Sequence, residues 1–182
     1  MDQFSYELKI PKERLAVLIG SSGRTKRELE KSTKTTIRVD SKEGDIFIYS
    51  EDGLHLYTAA EIVKAIGRGF NPNIAKLLLK SDYAAEQFDM GEFAKTRKHA
   101  IRLKGRVIGE EGKARRIIEE LTECHVSVYG KTISIIGEAE KVAIARRAIE
   151  SLLNGSPHST VYKWLEKQRR NIKKKRIMEE LS

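Results

Sequence analysis

The chain has 182 residues, 40% of them hydrophobic and 34% charged, and its 35 Lys and Arg against 26 Asp and Glu give a formal charge of +9, which favours nucleic acid as a partner. No apolar run approaches the roughly 18 residues of a membrane span and no signal peptide opens the chain, so we expect a soluble, cytoplasmic protein without membrane contact. The single cysteine, Cys124, excludes an internal disulfide, and four scattered histidines give no zinc-finger spacing, so neither metal nor cofactor is predicted.

The first half of the chain predicts alternating strands and helices. Tyr6, Leu8 and Ile10 alternate with polar residues, as in a half-buried strand. The elements predicted after it are helices over 13–19 and 24–32, strands over 36–39 and 46–49, and a helix over 54–67. Asn71 followed by Pro72 reads as an N-cap with proline at the first helical position, which predicts one more helix over 74–80.

The segment that follows contains Tyr83, Phe88, Met90 and Phe93 and is therefore expected to pack. The second half then predicts a strand over 100–103, a short helix near Val107, a helix over 113–121, strands over 126–128 and 132–136, and a helix over 142–153. Ser156-Pro157 again reads as an N-cap and first helical residue, before a helix over 161–167. The predicted boundaries are a first domain with an added helix at 1–82, a packed connector at 83–97, a second domain at 98–160 and a basic helical tail at 161–182.

The two halves are copies of each other. Gly20 and Gly23 recur 89 positions later as Gly109 and Gly112, each pair between two predicted helices. Each Gly-x-x-Gly follows an isoleucine and precedes a cation. Such a turn gives the backbone freedom to approach a ligand, and it exposes helix amides that favour phosphate. One Gly-x-x-Gly is a weak signal, but two at the same place in a repeated βααββα pattern are a strong one.

This pattern resembles the KH domain in its type I arrangement, in which the loop clamps about four single-stranded nucleotides. The predicted fold class is therefore α+β, with two tandem type I KH domains, each a three-stranded sheet packed on helices, and a basic C-terminal helix. The resemblance implies RNA contacts in copy one by Ile19, Gly20, Ser21, Ser22, Gly23, Arg24, Arg27 and Arg38. In copy two it implies contacts by Arg106, Ile108, Gly109, Glu110, Glu111, Gly112, Lys113 and Arg116. The resemblance also implies that the bases lie in a shallow groove between the two helices and the middle strand. For Ile37 and Val126, on the following strands, core packing is favoured over contact with bases in that groove.

The two loops differ in charge. Ser21-Ser22 is neutral, whereas Glu110-Glu111 places two carboxylates where KH loops usually carry a basic residue. Copy two is therefore either a structural or protein-binding domain, or an RNA-binding one in which Arg106, Lys113 and the tail provide the attraction. Residues 161–182 hold eight Lys or Arg against three Glu, and we favour phosphate contact there over a solvated surface. The tail residues predicted to contact RNA are Lys173, Lys174, Lys175 and Arg176.

A closer resemblance covers roughly residues 5 to 176. The segments Ile66 to Pro72, Leu103 to Gly109 and Leu153 to Pro157 are similar to those of the Krr/Partner-of-Nob family of small-subunit pre-rRNA processing proteins, in its compact archaeal form. The family resemblance implies binding to the 3′ region of the small-subunit rRNA precursor. It also implies two partners, a PIN-domain endonuclease and the pre-small ribosomal subunit.

No catalytic constellation stands out in the sequence. The adjacent glutamate pairs point in different directions on a helix, and Cys124 and His125 precede a strand in which neighbours face opposite ways. We therefore expect a non-catalytic protein that clamps single-stranded rRNA and assists ribosome biogenesis. The alternatives are a protein-interaction scaffold and a general single-stranded RNA binder without rRNA preference.

Overall fold

The computed structural model describes residues 4–181, so residues 1–3 and Ser182, the outermost ends of the predicted domains, lie outside the described residues. The chain forms two compact units, and the boundary between them, at Ala85 and Glu86, falls inside the first strand of the second sheet. Each is described by itself below.

The first unit follows the predicted βααββα order. Its elements are β1 (Phe4–Lys9), α1 (Lys12–Ile19), α2 (Arg24–Thr33), β2 (Thr36–Asp40), β3 (Asp45–Ser50), α3 (Gly53–Gly67) and the short α4 (Pro72–Ala75), with 3-10 turns at Ser21–Gly23 and Lys76–Leu79. The N-cap predicted at Asn71 is confirmed, because its side chain accepts a hydrogen bond from the Asn73 amide. Helix α3 is capped in the same way by Asp52.

The sheet of the first unit has the order β1-β3-β2, with both pairings antiparallel. Ile37, Ile46 and Ile48 lie on the face covered by the helices, where each is at most 1% exposed. Burial of an isoleucine of this kind contributes about 1.5–3 kcal/mol relative to leaving it in water. The prediction that Ile37 belongs to the core is therefore confirmed.

The second unit repeats the order. Its elements are β4 (Tyr83–Asp89), α5 (Arg97–Ile108), α6 (Lys113–Thr122), β5 (His125–Tyr129), β6 (Thr132–Glu138), α7 (Ala139–Leu153) and α8 (His158–Glu180), with 3-10 turns at Met90–Glu92 and Glu110–Gly112. The sheet order β4-β6-β5 matches that of the first unit. The predicted α+β class, with two type I βααββα units, is confirmed.

Two assignments near the start of the second unit were wrong. The strand predicted over 100–103 is part of α5, which begins after the N-cap Thr96 and buries Leu103 and Val107 one turn apart. The first strand is instead β4, within the segment 83–97 expected to be a connector. The expected packing of that segment is confirmed, since Phe88 and Met90 are each only 2% exposed.

Helix α8 extends well beyond the helix predicted over 161–167 and spans almost all of the basic helical tail predicted over 161–182. It runs without a break to Glu180, and it begins after Pro157, which is the N-cap rather than the first helical residue. Val161 and Leu165 are buried in the core of the second unit, and Trp164 packs against that core with Arg147 over its ring. No helix within residues 4–181 is long and apolar enough to cross a membrane.

Candidate nucleic-acid interface

The two Gly-x-x-Gly loops have the same backbone conformation. Gly20 has φ 71° and ψ 176°, and Gly109 has φ 75° and ψ 175°. This region of backbone space is nearly exclusive to glycine. The second glycines, Gly23 and Gly112, are both left-handed, with φ 75° and 76°. The predicted equivalence of the loops therefore holds at the level of individual dihedral angles.

The two glycines of each loop are required for different reasons. A Cβ on Gly20 would lie 2.2 Å from Thr25 Oγ1, and one on Gly109 would lie 2.6 Å from the Ala114 amide nitrogen. The first glycine thus allows the loop to close against the helix that follows it. A Cβ on Gly112 would meet nothing within 4 Å, so only its left-handed conformation favours glycine there.

The middle residues of the loops point to solvent. Ser21, Ser22, Glu110 and Glu111 are all exposed. Ser22 and Glu111 are both left-handed, with φ 51° and 50°. The acidic pair does not change the loop geometry, so the two loops differ in charge but not in shape.

Some of the cations near the first loop form ion pairs with Glu28. Arg24 Nε donates to Glu28 Oε1 at 2.8 Å, and Lys76 Nζ donates to the other oxygen of Glu28 at 2.8 Å. Lys76 and then Arg24 lower the pKa of Glu28 to about 2. Arg27 is exposed, and its guanidinium lies beside Gly23. Arg24 and Arg27 thus both lie at the first loop, and their contact with RNA stays a prediction.

Arg38 lies elsewhere. The exposed residues of β2 alternate with buried Ile37, so Arg38 is on the open face of the sheet, opposite the helices. Its guanidinium is 5.5 Å from the centre of the Tyr49 ring on β3. The structure therefore does not group Arg38 with the first loop, and its contact with RNA stays a prediction.

In the second unit, Lys113 and Arg116 extend into solvent from the first turn of α6. Within residues 4–181 neither takes part in an ion pair or a side-chain hydrogen bond. Both are available to a phosphate group. Ile19 and Ile108, which precede the loops, are half-buried in both copies.

Arg106 has a structural role. Its Nε donates to the Leu152 carbonyl at 3.0 Å and its Nη2 to the Ser156 carbonyl at 2.6 Å, which satisfies acceptors at the carboxyl end of α7. In the first unit, Arg14 donates to the carbonyls of Ile66 and Phe70 at the end of α3. The two arginines occupy different positions of the repeat, so sequence alignment alone did not reveal their shared role. RNA contact by Arg106 stays a prediction.

A repeated contact at the strand edge was missed by the sequence analysis. Glu30 Oε1 accepts the Ile37 amide at 2.7 Å, and Glu119 Oε1 accepts the Val126 amide at 2.8 Å. Lys26 additionally donates to the Ile37 carbonyl at 2.9 Å. The signal was present, because both glutamates and both amides are separated by the repeat offset of 89. A carboxylate therefore accepts a hydrogen bond from the edge strand of each sheet, β2 or β5.

The four tail residues predicted to bind RNA are not equivalent. Arg176 Nη2 is 2.7 Å from Glu138 Oε2, and Lys175 Nζ is 3.6 Å from a Glu140 oxygen. Lys173 lines a cavity between α8 and the end of α6, whereas Lys174 is exposed and does not line that cavity. Only part of the predicted basic cluster therefore faces solvent without a partner.

The single cysteine of the chain is buried. Cys124 is 2% exposed, and burial raises the pKa of its thiol to about 11. A thiol of this kind is not a nucleophile at neutral pH. Within residues 4–181, no group of three or more His, Cys, Asp or Glu side chains is placed to hold a metal ion.

Comparison with known proteins matches both units. Residues 5–65 match the model of the KH domain, and residues 84–170 match the model of the eukaryotic type KH-domain (KH-domain type I). The second match begins at β4, in agreement with its place as the first strand of that unit.

Similar proteins come from archaea and eukaryotes. A KH domain-containing protein of Methanocaldococcus jannaschii is 47% identical over 174 residues, which cover 93% of this chain and 76% of that protein. The pre-rRNA-processing protein PNO1 of Candida albicans is 29% identical over 164 residues, and the match spans 87% of this chain and 59% of that protein. The crystal structure of an a/eIF2alpha-aDim2p-rRNA complex from Pyrococcus horikoshii contains a chain with 44% identity and a TM-score of 0.86, which covers 93% of this chain and 96% of that one.

Proposed function

Because this chain belongs to the family of tandem KH-domain proteins that includes Dim2 and PNO1, we propose that it is an RNA-binding factor in pre-rRNA processing and small-subunit assembly. It holds single-stranded RNA from the 3′ region of the small-subunit rRNA precursor and does not itself cut it. The observation that carries this proposal is the pair of loops with matching dihedral angles, each opening a helix with two exposed cations in its first turn.

The loop and its neighbours supply what a phosphate backbone requires. The amino-terminal ends of α2 and α6 present amides and the positive end of the helix dipole. Arg24 and Arg27 add charge at the first loop, and Lys113 and Arg116 add charge at the second. These groups recognise backbone rather than sequence, so base preference must come from the groove beside them.

Membership of the family supports a proposal about partners. The Pyrococcus complex contains a/eIF2alpha and rRNA, and the corresponding surfaces of this chain are proposed to serve the same pair. A PIN-domain endonuclease and the pre-small ribosomal subunit are the further proposed partners, and the proposed location is the cytoplasm. The absence of catalysis belongs to the proposal, and the buried thiol of Cys124 supports it.

The test is a set of four loop variants measured for RNA binding by fluorescence anisotropy. Gly23→Asp and Gly112→Asp add one negative charge to a loop, and Gly23→Asn and Gly112→Asn are neutral controls of the same shape. Asp and Asn both tolerate the left-handed conformation of these glycines, so the fold is retained. The RNA is a short single strand with the sequence of the small-subunit rRNA 3′ end, compared with a scrambled strand and with DNA.

We expect the Asp variants to bind the rRNA strand about 10-fold to 100-fold more weakly than the Asn variants. A charge about 5 Å from a phosphate costs roughly 0.8 kcal/mol at the dielectric constant of water and about 3 kcal/mol at a partly desolvated site. Equal, weak binding of all strands by all four variants would contradict the proposal and favour the protein-interaction scaffold. Strong binding of every strand alike would favour a general single-strand binder.

A further inference from the structure

Helix α8 carries four cations on the side that faces away from the second unit. Lys163, Lys167, Arg170 and Lys174 follow one another at spacings of four, three and four residues, which places them in one line along a helix. All four are exposed. We call them the outer basic stripe; at 1.5 Å per residue it is about 17 Å long.

The opposite side of α8 is used for packing. Val161 and Leu165 are 3% and 0% exposed, and Ile172 lines the cavity against the end of α6. The hydrophobic side of the helix is therefore already buried against the protein and does not face a lipid surface. An amphipathic helix that inserts into membranes needs that side free.

The cations on the flank of the helix near its carboxyl end are neutralised by the protein. Arg176 pairs with Glu138, and Lys175 lies near Glu140. Beside them, buried Lys141 bridges Glu123 and Glu138. Glu138 and Glu140 thus offset the positive charge on the flank of α8 that carries Arg176 and Lys175.

The outer basic stripe is not paired in this way. Within the part of the chain that the structure describes, none of its four members forms an ion pair or a side-chain hydrogen bond. One acidic residue of the helix, Glu166, lies beside the line of the stripe and pairs with none of its members. Like charges three and four residues apart repel one another and weaken a helix, so an anionic ligand would offset that repulsion.

The start of α8 lies near the second loop, so the outer basic stripe extends away from that loop along the second unit. At its start, His158 Nε2 is 2.7 Å from the carbonyl oxygen of Arg106, three residues before Gly109. At its other end, Arg169 and Arg176 line a cavity with Leu121 and Glu123, at the carboxyl end of α6. Helix α8 therefore begins near the loop end of the second unit and extends toward the far end of α6.

From these observations we propose that the outer basic stripe is a second RNA-binding surface, separate from the two loops. It contacts the phosphate backbone of RNA that flanks the single-stranded segment held by the second KH unit. This inference rests on the proposed function, because a loop-bound strand brings the flanking RNA to α8. It assigns the helix a part in affinity but none in reading bases, since evenly spaced cations recognise phosphates and not base edges.

The experiment compares two RNAs and two variants of the full chain. The short RNA is a single strand of about ten nucleotides, close to the capacity of two KH loops. The extended RNA carries the same strand joined to a hairpin of about twelve base pairs. The test variant combines Lys163→Gln, Lys167→Gln, Arg170→Gln and Lys174→Gln. The control variant combines Lys95→Gln, Arg97→Gln, Lys98→Gln and Arg102→Gln, four exposed cations at or before the amino-terminal half of α5, whose carboxyl end leads into the loop.

Binding is measured by anisotropy at several salt concentrations. We expect the wild type and the control variant to bind the extended RNA more tightly than the short one. The stripe variant should bind the short RNA within about twofold of the wild type but the extended RNA on the order of 10-fold to 100-fold more weakly. For the extended RNA, its slope of log K against log salt should fall by about 2 to 4, since each duplex phosphate contact contributes about 0.9.

Three results would overturn the inference: no difference between stripe and wild type on the extended RNA, equal losses in the stripe and control variants, or equal losses on both RNAs. A fourth would be loss of binding to anionic vesicles of phosphatidylserine and phosphatidylcholine in the stripe variant with RNA binding intact. If the wild type fails to bind even the short RNA, the proposed function itself is wrong, and the two failures are thereby distinguished.

Discussion

The acidic second loop allows a quantitative test of whether it holds phosphate. The double variant Glu110→Ser and Glu111→Ser gives this loop the middle residues of the first. The backbone accepts the change, because Glu111 has φ 50° and ψ 28° where Ser22 has φ 51° and ψ 30°. Within residues 4–181, neither glutamate forms an ion pair that would be lost.

The expected gain in RNA affinity follows from Coulomb's law. With a phosphate at the loop amides about 8 Å from each exposed carboxylate, the repulsion in water is about 0.5 kcal/mol per charge. Removing both gives about 1 kcal/mol, or about fivefold tighter binding at low salt. At 0.15 M salt the Debye length of about 8 Å reduces the gain to about 0.4 kcal/mol, or about twofold. Stability should fall at the same time, because each acidic residue at a helix amino terminus contributes about 0.3–1 kcal/mol.

The measurement is anisotropy with the short rRNA strand in the Gly23→Asp background, so that the second loop determines the affinity. The matched control is Glu120→Ser with Glu179→Ser, exposed glutamates near the carboxyl ends of α6 and α8. It changes the net charge by the same amount, and Glu120 lies about 12 Å along α6 from Gly112 at 1.5 Å per residue. An equal gain in the control would attribute the effect to overall charge. No gain at low salt would refute the placement of a phosphate at the second loop.

Three further predictions concern stability and reactivity. Arg106→Met should lower the free energy of unfolding by about 2–4 kcal/mol in urea, because two hydrogen bonds to carbonyl oxygens at the end of α7 are lost; a change below about 0.5 kcal/mol would contradict this role. Gly109→Ala should destabilise by about 3 kcal/mol or more and Gly112→Ala by about 1 kcal/mol, since only the first added Cβ meets Ala114; equal thermal shifts would refute the distinction. Cys124 should resist a thiol reagent at pH 8 in the folded protein and react on denaturation, because burial raises its pKa to about 11, and fast labelling of the native state would argue against that burial.

The loops and their helices could be predicted from the sequence because their conformation is local. Gly20 and Gly109 occupy a backbone region that other residues avoid, so the repeated glycine spacing indicates the turn. The helix α6 and the strands β5 and β6 could likewise be predicted from near neighbours in the sequence. Helix α6 has apolar residues at helical spacing, and the two strands are rich in β-branched residues. The repeat offset then placed the second site once the first was found.

The first strand of the second unit depended on distant contacts. Strand β4 is hydrogen-bonded to β6, which begins only at Thr132, and its own residues alternate weakly between buried and exposed. The segment 100–103 resembles a strand locally as much as β4 does. It is nevertheless helical, and Leu103 and Val107 are buried on one side of that helix. Short segments of this kind take the structure that their tertiary partners select.

What the sequence determined by itself was therefore the duplicated βααββα unit, its two loops and the excess of positive charge. Only the tertiary structure decided which cations are available to RNA. It directs Arg106 to the end of α7 and Arg176 to Glu138, and it leaves the outer basic stripe of α8 in solvent. The physical reason is that the sequence does not show which side of a helix is buried or which acidic groups lie near a given cation. Tertiary packing determines both.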